Sequence, residues 1–266
     1  MSIFLDSMDV HQIALSIDEV SVNVISAYSQ LNKQKQLSFT LHPQRVATGI
    51  SQFLDVMYMI EMNQIQYDIA DDLDYAEESE LPLEYALNYS ELTEIGNYGL
   101  ELMQTLSEWA GRLKLADEQQ QLQSAMIVVS LWIARHGGSL ITLETVTDTL
   151  TEVVKAPIEP MSLNVLCEVT GELVYAVANE VKSLDAPRHL RALWCELNMS
   201  WGMVAVRTKD IDIMQRVFDC LVKNIPQDSS KFFEQLVVQC DDYRFPVPVQ
   251  NVVKSYYQRY TISVLH

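Results

Sequence analysis

Between Pro157 and Pro226 apolar residues recur at steps of three and four, and the runs are divided by prolines and capping residues. A period near 3.6 buries a continuous face only on an α-helix, so the stretch predicts three amphipathic helices in succession. Leu163, Leu166, Val169, Leu173, Val174 and Val177 form the buried face of the first, which Pro160 and Ser162 open. The second follows Asp185 and Pro187, which suit an N-cap and a first turn, and carries Leu190, Leu193, Trp194, Leu197, Trp201 and Val204. Asp210 is a good N-cap for the third, whose face is Ile211, Met214, Val217, Phe218, Leu221 and Ile225. Pro226 ends it by removing a backbone donor.

An upstream stretch from about Ser90 to Pro157 has the same order of features: two helices, a tight break at Gly137-Gly138-Ser139, a third helix and a proline. Sliding one stretch along the other by about seventy residues places Leu92 on Leu163, Leu102 on Leu173, Ser130 on Ser200, Leu131 on Trp201 and Leu150 on Leu221. This predicts a three-helix repeat. Chance agreement between two amphipathic patterns is the competing account.

The N-terminal part adds a helix from about Met8 to Leu31, ended by the polar Asn32 to Gln36, with Val10, Ile13, Ile17, Val20, Val24 and Tyr28 in register. His42-Pro43 opens a second long helix carrying Val46, Ile50, Phe53, Leu54, Met57 and Ile60, with Pro43 in its first turn. Met57, Met59 and Met62 with Tyr58 are read as core filling, and alternatively as an adaptable binding face. After Pro226, Asp228-Ser229-Ser230 caps a shorter helix, and Phe245-Pro246-Val247-Pro248 is expected as an extended link into a last one. Alternating patterns are nearly absent, and the eight glycines and eight prolines of this 266-residue chain lie mainly between periodic segments. The expected fold is therefore all-α, with about ten helices packed as antiparallel hairpins or as three-helix repeats of about 70 residues, open to curving into an α-solenoid. Residues 1–80 are expected to form an N-terminal helical region ending in an acidic connector, and 81–266 a helical repeat region; one continuous domain is the alternative.

Charge is strongly polarised. From Val46 to Gly111 there are fourteen acids and no lysine or arginine, so this segment holds most of the net charge of −18, whereas Leu184 to His266 holds ten basic and nine acidic residues. Five tyrosines, Tyr67, Tyr75, Tyr85, Tyr89 and Tyr98, stand among the carboxylates. Charge steers encounter and tyrosine supplies contact area, so the segment suits a basic protein partner, with Asp68, Asp71, Asp72, Asp74, Tyr75, Glu77 and Glu78 as the expected contact residues. A solvated acidic connector that only aids solubility competes with that reading for Asp71 to Pro82.

Nucleic-acid binding needs clustered cations, which this charge opposes, and Arg188, Arg191 and Arg207 are expected to pair with acids of neighbouring helices. No basic N-terminus precedes an apolar run, and the longest apolar run, Ala125 to Ala134, is shorter than the ~20 residues that span a bilayer. A soluble, cytoplasmic protein without membrane contact is expected. Cys167, Cys195, Cys220 and Cys240 stand alone and are read as reduced thiols, mostly in the core.

Catalytic motifs are missing: there is no P-loop, GxGxxG, HExxH, GxSxG or ExxH pattern, and the five histidines are scattered. His136, next to Gly137, is expected to cap a helix C-terminus. Asp71-Asp72-x-Asp74 resembles the aspartate-rich motif with which all-α isoprenoid synthases bind magnesium and diphosphate, which implies that Asp71, Asp74 and Glu78 would share a chelating helix face. The second metal motif of that family requires Asn, Ser/Thr and Glu at four-residue spacing; Asn164, Glu168 and Glu172 keep the spacing but lack the hydroxyl residue. No basic residue for a diphosphate lies within the acidic segment. The expectation is thus a non-enzymatic protein–protein interaction module whose acidic face binds a basic partner, with no metal or cofactor. An all-α enzyme or small-ligand binder with a helix-lined pocket, or an acidic inhibitor of a basic surface, is the alternative.

Overall fold

The computed structural model describes residues 10–35, 42–72, 88–155, 158–242 and 245–262, with side chains described for these apart from 32–35, 63–72, 241–242 and 261–262. The protein is all-α, with eleven helices and no strand among the described residues. They are α1 (Val10–Lys35), α2 (Pro43–Asp72), α3 (Tyr89–Arg112), α4 (Ala116–Arg135), α5 (Glu144–Lys155), α6 (Pro160–Ala176), α7 (Asn179–Lys182), α8 (Arg188–Thr208), α9 (Ile211–Asn224), α10 (Ser229–Asp242) and α11 (Val247–Ile262). Two compact units, Met1–Thr145 and Val146–His266, divide the chain by packing. None of the helices, over the described residues, is long and apolar enough to cross a membrane.

In the first unit α1 packs on α2 and α4, and α3 packs on α2 and α4. The expected stripe of α1 is the buried one: Val10, Ile13, Ile17, Val20, Val24 and Tyr28 are all shielded from solvent. Tyr28 places its ring edge-on to Trp109 of α3 at 5.1 Å and to His42, at the start of α2, at 4.5 Å. Gly99 lets α3 approach α2, since a Cβ there would stand 2.6 Å from the Phe53 ring. Asn97, 7% exposed, binds the segment after α4: its amide nitrogen donates to Ser139 O at 2.8 Å, and its Oδ1 accepts from Ile141 N at 2.7 Å and Thr142 N at 2.9 Å. One side chain thus satisfies three backbone groups that no helix or strand could serve.

In the second unit α8 packs on α6, α7 and α9, and α10 and α11 pack on each other, α11 also touching α9. Trp201 donates its indole N–H to Cys167 O of α6 at 2.9 Å, and Asn198 accepts from the Asn224 amide of α9 at 2.8 Å. Phe218, Phe232, Phe233 and Tyr256 form an aromatic cluster with ring separations of 5.1 to 6.1 Å. The four edge-to-face pairs among them contribute about 0.5–1.5 kcal/mol each beyond burial.

Several boundaries differ from expectation. α1 runs through Lys35, because Asn32 to Lys35 contains no residue that breaks a helix. The N-cap of α8 is Pro187 and not Asp185, with no side-chain cap bond; Asp185 instead donates its N–H to Ser183 Oγ at 3.2 Å. Pro248 lies inside the first turn of α11, where its missing N–H costs nothing, so the extended link is shorter than expected. The one-turn α7 was not anticipated; its buried Val181 anchors it. Core filling holds for Met57 alone, while Tyr58, Met59 and Met62 are 46%, 57% and 42% exposed. By contrast Asp210 caps α9 as expected, accepting from Asp212 N at 2.9 Å and Ile213 N at 3.1 Å.

Candidate functional site

Of the acidic, tyrosine-bearing segment, the described residues include α2, with side chains as far as Met62, and the whole of α3. The start of α3 is set by a capping box: Asn88 Oδ1 accepts from Ser90 N and Glu91 N, while Glu91 Oε2 accepts from Asn88 N at 3.1 Å. This closes the first turn and places a carboxylate against the positive end of the helix dipole. From there Leu92, Gly96, Leu100, Met103 and Leu106 turn inward, which leaves Glu91, Glu94, Tyr98, Glu101 and Glu108 along the outward stripe, all exposed. Steps of three, four and seven residues put them on one line. Tyr98 is 59% exposed, and Tyr89, 74% exposed, lies over the turn at Gly137, where φ is +82°.

Arg112 Nη2 lies 3.4 Å from Glu108 Oε2, both side chains 55% exposed. An exposed i,i+4 pair of this kind contributes at most about 0.5 kcal/mol, so it tempers the C-terminal end of the stripe and leaves Glu94 and Glu101 uncompensated.

Glu61 departs from its segment. It is half-buried at the end of the first unit's core, where its Oε1 accepts the indole N–H of Trp132 at 2.7 Å and lies 3.5 Å from His136 Nε2. His136 is the C-cap of α4, as expected, with Nδ1 2.8 Å from Trp132 O. Glu61 therefore joins α2 to α4 and is not part of an outward acidic face.

Of the contact residues expected from sequence, Asp68, Asp71 and Asp72 fall in the last turns of α2, and their side chains lie outside the described residues. Asp74, Tyr75, Glu77 and Glu78 lie wholly outside them. Asn164 and Glu168 are exposed on α6 and Glu172 is half-buried. Among the described residues no group of three or more His, Cys, Asp or Glu could hold a metal ion.

The second unit has an open groove of about 630 Å³ along α8, lined by Arg188, Arg191, Cys195, Glu196, Met199 and Asp228. Burial, reinforced by Asp228, pushes the Cys195 thiol up to about 12. It stays protonated at neutral pH and is a poor nucleophile. Arg191 donates to Leu184 O at 3.3 Å and Arg207 to Val154 O, so both arginines reach backbone carbonyls. The four cysteines are free thiols, with Cys167 and Cys240 buried and Cys195 and Cys220 half-buried.

No protein-family model, no curated protein sequence and no solved structure matches this chain.

Proposed function

We propose that this protein is a non-enzymatic interaction module whose acidic, tyrosine-bearing segment receives a basic protein partner. One observation carries the reading: α3 sets Glu91, Glu94, Tyr98, Glu101 and Glu108 outward along one line in a stretch of chain, Val46 to Gly111, that contains no lysine or arginine. A line of carboxylates without an internal cation attracts positive charge over a Debye length, and an exposed tyrosine adds rigid contact area. Asp68, Asp71, Asp72, Asp74, Tyr75, Glu77 and Glu78 extend the same charge along the chain and belong to the proposed surface. In this reading α3 to α5 and α6, α8 and α9 are two copies of a three-helix repeat; helices starting at 89 and 160, at 116 and 188, and at 144 and 211 support it.

The test begins with cross-linked capture of a partner from the native host. Stopped-flow association is then followed across a salt series, in which the Debye length shrinks from about 10 Å at 0.1 M to about 3 Å at 1 M. For wild type the rate should fall steeply with salt, and the combined Glu94→Gln, Glu101→Gln, Glu108→Gln variant should associate more slowly and with a shallower salt slope. A second variant, neutralised at Asp71, Asp72, Asp74, Glu77 and Glu78, separates the contact role of that stretch from mere solubility. Rates unchanged in both variants would remove the segment from the interface.

A further inference from the structure

The side of α8 that faces away from the core is the floor of a groove. Arg188, Ala192, Cys195, Met199 and Met203 fall within about 40° of one line, at about 100° per residue. All five are exposed or half-buried, and the buried Leu197, Trp201 and Val204 lie on the opposite face. One wall is α5, whose Thr151 Oγ1 lies 3.3 Å from Glu196 Oε1 and 3.2 Å from Ser200 Oγ. The other wall is α10 with the turn before it. It is held by the Cys195 thiol, which donates to Asp228, and by Gly202, where a Cβ would stand 2.4 Å from the Phe232 ring. Through Glu196 and Met199 the groove of about 630 Å³ continues into a second hollow of about 360 Å³, lined by Val154, Lys155, Met203 and Gln239. From Arg188 to Met203 the floor runs for about 22 Å, roughly four turns of helix.

In a chain of net charge −18 this lining is cationic. With the adjoining hollow beside Trp194, it brings together Lys155, Lys182, Arg188 and Arg191 against two acids, Glu196 and Asp228. Lys155 is paired with Glu152 at 2.6 Å, and Lys182 donates to Tyr175 O at 2.9 Å. Arg188 is exposed and has no ion-pair partner among the described residues, and Arg191 reaches only the Leu184 carbonyl. The uncompensated positive charge therefore sits at the start of α8, and the half-buried Met199, Met203 and Val154 lie further along. What complements such a groove is an apolar ridge with carboxylates at one end. A second copy of this chain, at net −18, would be repelled as a whole.

We propose that the groove along α8 receives an amphipathic helix of a partner protein, its apolar i, i+3, i+4, i+7 side chains on Met199, Met203 and Val154 and its carboxylates on Arg188 and Arg191. A helix satisfies its own backbone hydrogen bonds, which suits a groove walled by helices that offers no strand edge to pair with. Two methionines on the floor suit it as well, because they repack around side chains of differing shape. The site lies in the second unit and goes beyond the acidic-segment reading, on which it does not depend.

The test uses the full chain and a labelled Leu/Gln/Glu peptide of about 16 residues, leucines at helical spacing and glutamates at one end, against a scrambled peptide of the same composition. Fluorescence anisotropy at physiological salt should show the patterned peptide binding at least about tenfold more tightly, a margin of about 1.4 kcal/mol. Arg188→Glu with Arg191→Glu should abolish most of that margin while the urea midpoint stays at the wild-type value, Arg188 being exposed and unpaired. Met199→Ser with Met203→Ser should abolish it too. Equal binding of both peptides to wild type, or a margin kept in the arginine variant, would overturn the site. A wild-type dimer in light scattering that the arginine variant loses would also overturn it, by making a second copy the occupant. Saturable binding of a fluorescent long-chain fatty acid, lost in the arginine variant and found without any peptide margin, would overturn it in favour of a lipid. The α3 variant Glu94→Gln, Glu101→Gln, Glu108→Gln should leave the margin intact, so the acidic-stripe reading and this site fail separately.

Discussion

Glu61 Oε1 accepts the indole N–H of Trp132 at 2.7 Å, joining the second helix to the fourth through a side chain that is only 1% exposed on the tryptophan side. The bond gives the buried indole its partner and fixes the ring against which His136 lies, ring centroids 4.4 Å apart. An acid in a cation-free stretch of chain is thereby assigned to architecture.

Glu61→Ala should destabilise the first unit by about 1–3 kcal/mol, because it leaves a buried donor without an acceptor. Glu61→Gln keeps an acceptor oxygen and should cost less. Urea unfolding monitored by tryptophan fluorescence measures both; equal losses would show that the charge, and not the hydrogen bond, is what matters.

Asn97→Ala should be more costly, by about 2–4 kcal/mol, since it orphans Ser139 O, Ile141 N and Thr142 N together. Amide hydrogen exchange at Ile141 and Thr142 should quicken in the variant. Exchange as slow as in wild type at those two amides would mean the turn is held by something else.

At Gly99 an alanine Cβ would meet the Phe53 ring at 2.6 Å, and Phe53 is itself buried. Overpacking of this kind costs about 1–3 kcal/mol even though alanine is the better helix former. Gly99→Ala paired with Phe53→Leu should recover part of the loss in a double-mutant cycle, and strict additivity of the two would argue against the contact.

Alkaline pH should unfold the second unit. Burial pushes the Cys167 thiol up to about 11 and the Cys195 thiol to about 12, from an ordinary value of 9.0, and burial with the Asp219 hydrogen bond raises the Tyr256 phenol. Groups raised by folding stabilise the native state fully below their unfolded pKa and lose that contribution as pH climbs through the folded value. Stability should therefore fall from about pH 9 upward, read as a declining urea midpoint under reducing conditions. In Cys167→Ala the decline should be shallower; the same slope as wild type would exclude that thiol.

The sequence by itself determined the helices. Apolar periodicity marked the buried faces of α1, α6 and α9, and chemistry confined to neighbouring residues marked their ends: Pro43 at the start of α2, Asp210 before α9, His136 and Gly137 after α4. It also determined where the acids lie along the chain, and hence the acidic line on α3 once that helix is known. Tertiary structure decided which members of a pattern are exceptions. Tyr58, Met59 and Met62 read as core by composition, yet α2 turns them outward; Glu61 reads as one more surface acid, yet a tryptophan seventy-one positions away claims it. Asn97 was invisible, because a polar residue among apolar ones carries no mark of the distant backbone groups it satisfies. Local structure follows from bonds and faces within a few residues, whereas burial and hydrogen-bond partnership depend on which helix arrives opposite, and that is settled only when the helices pack.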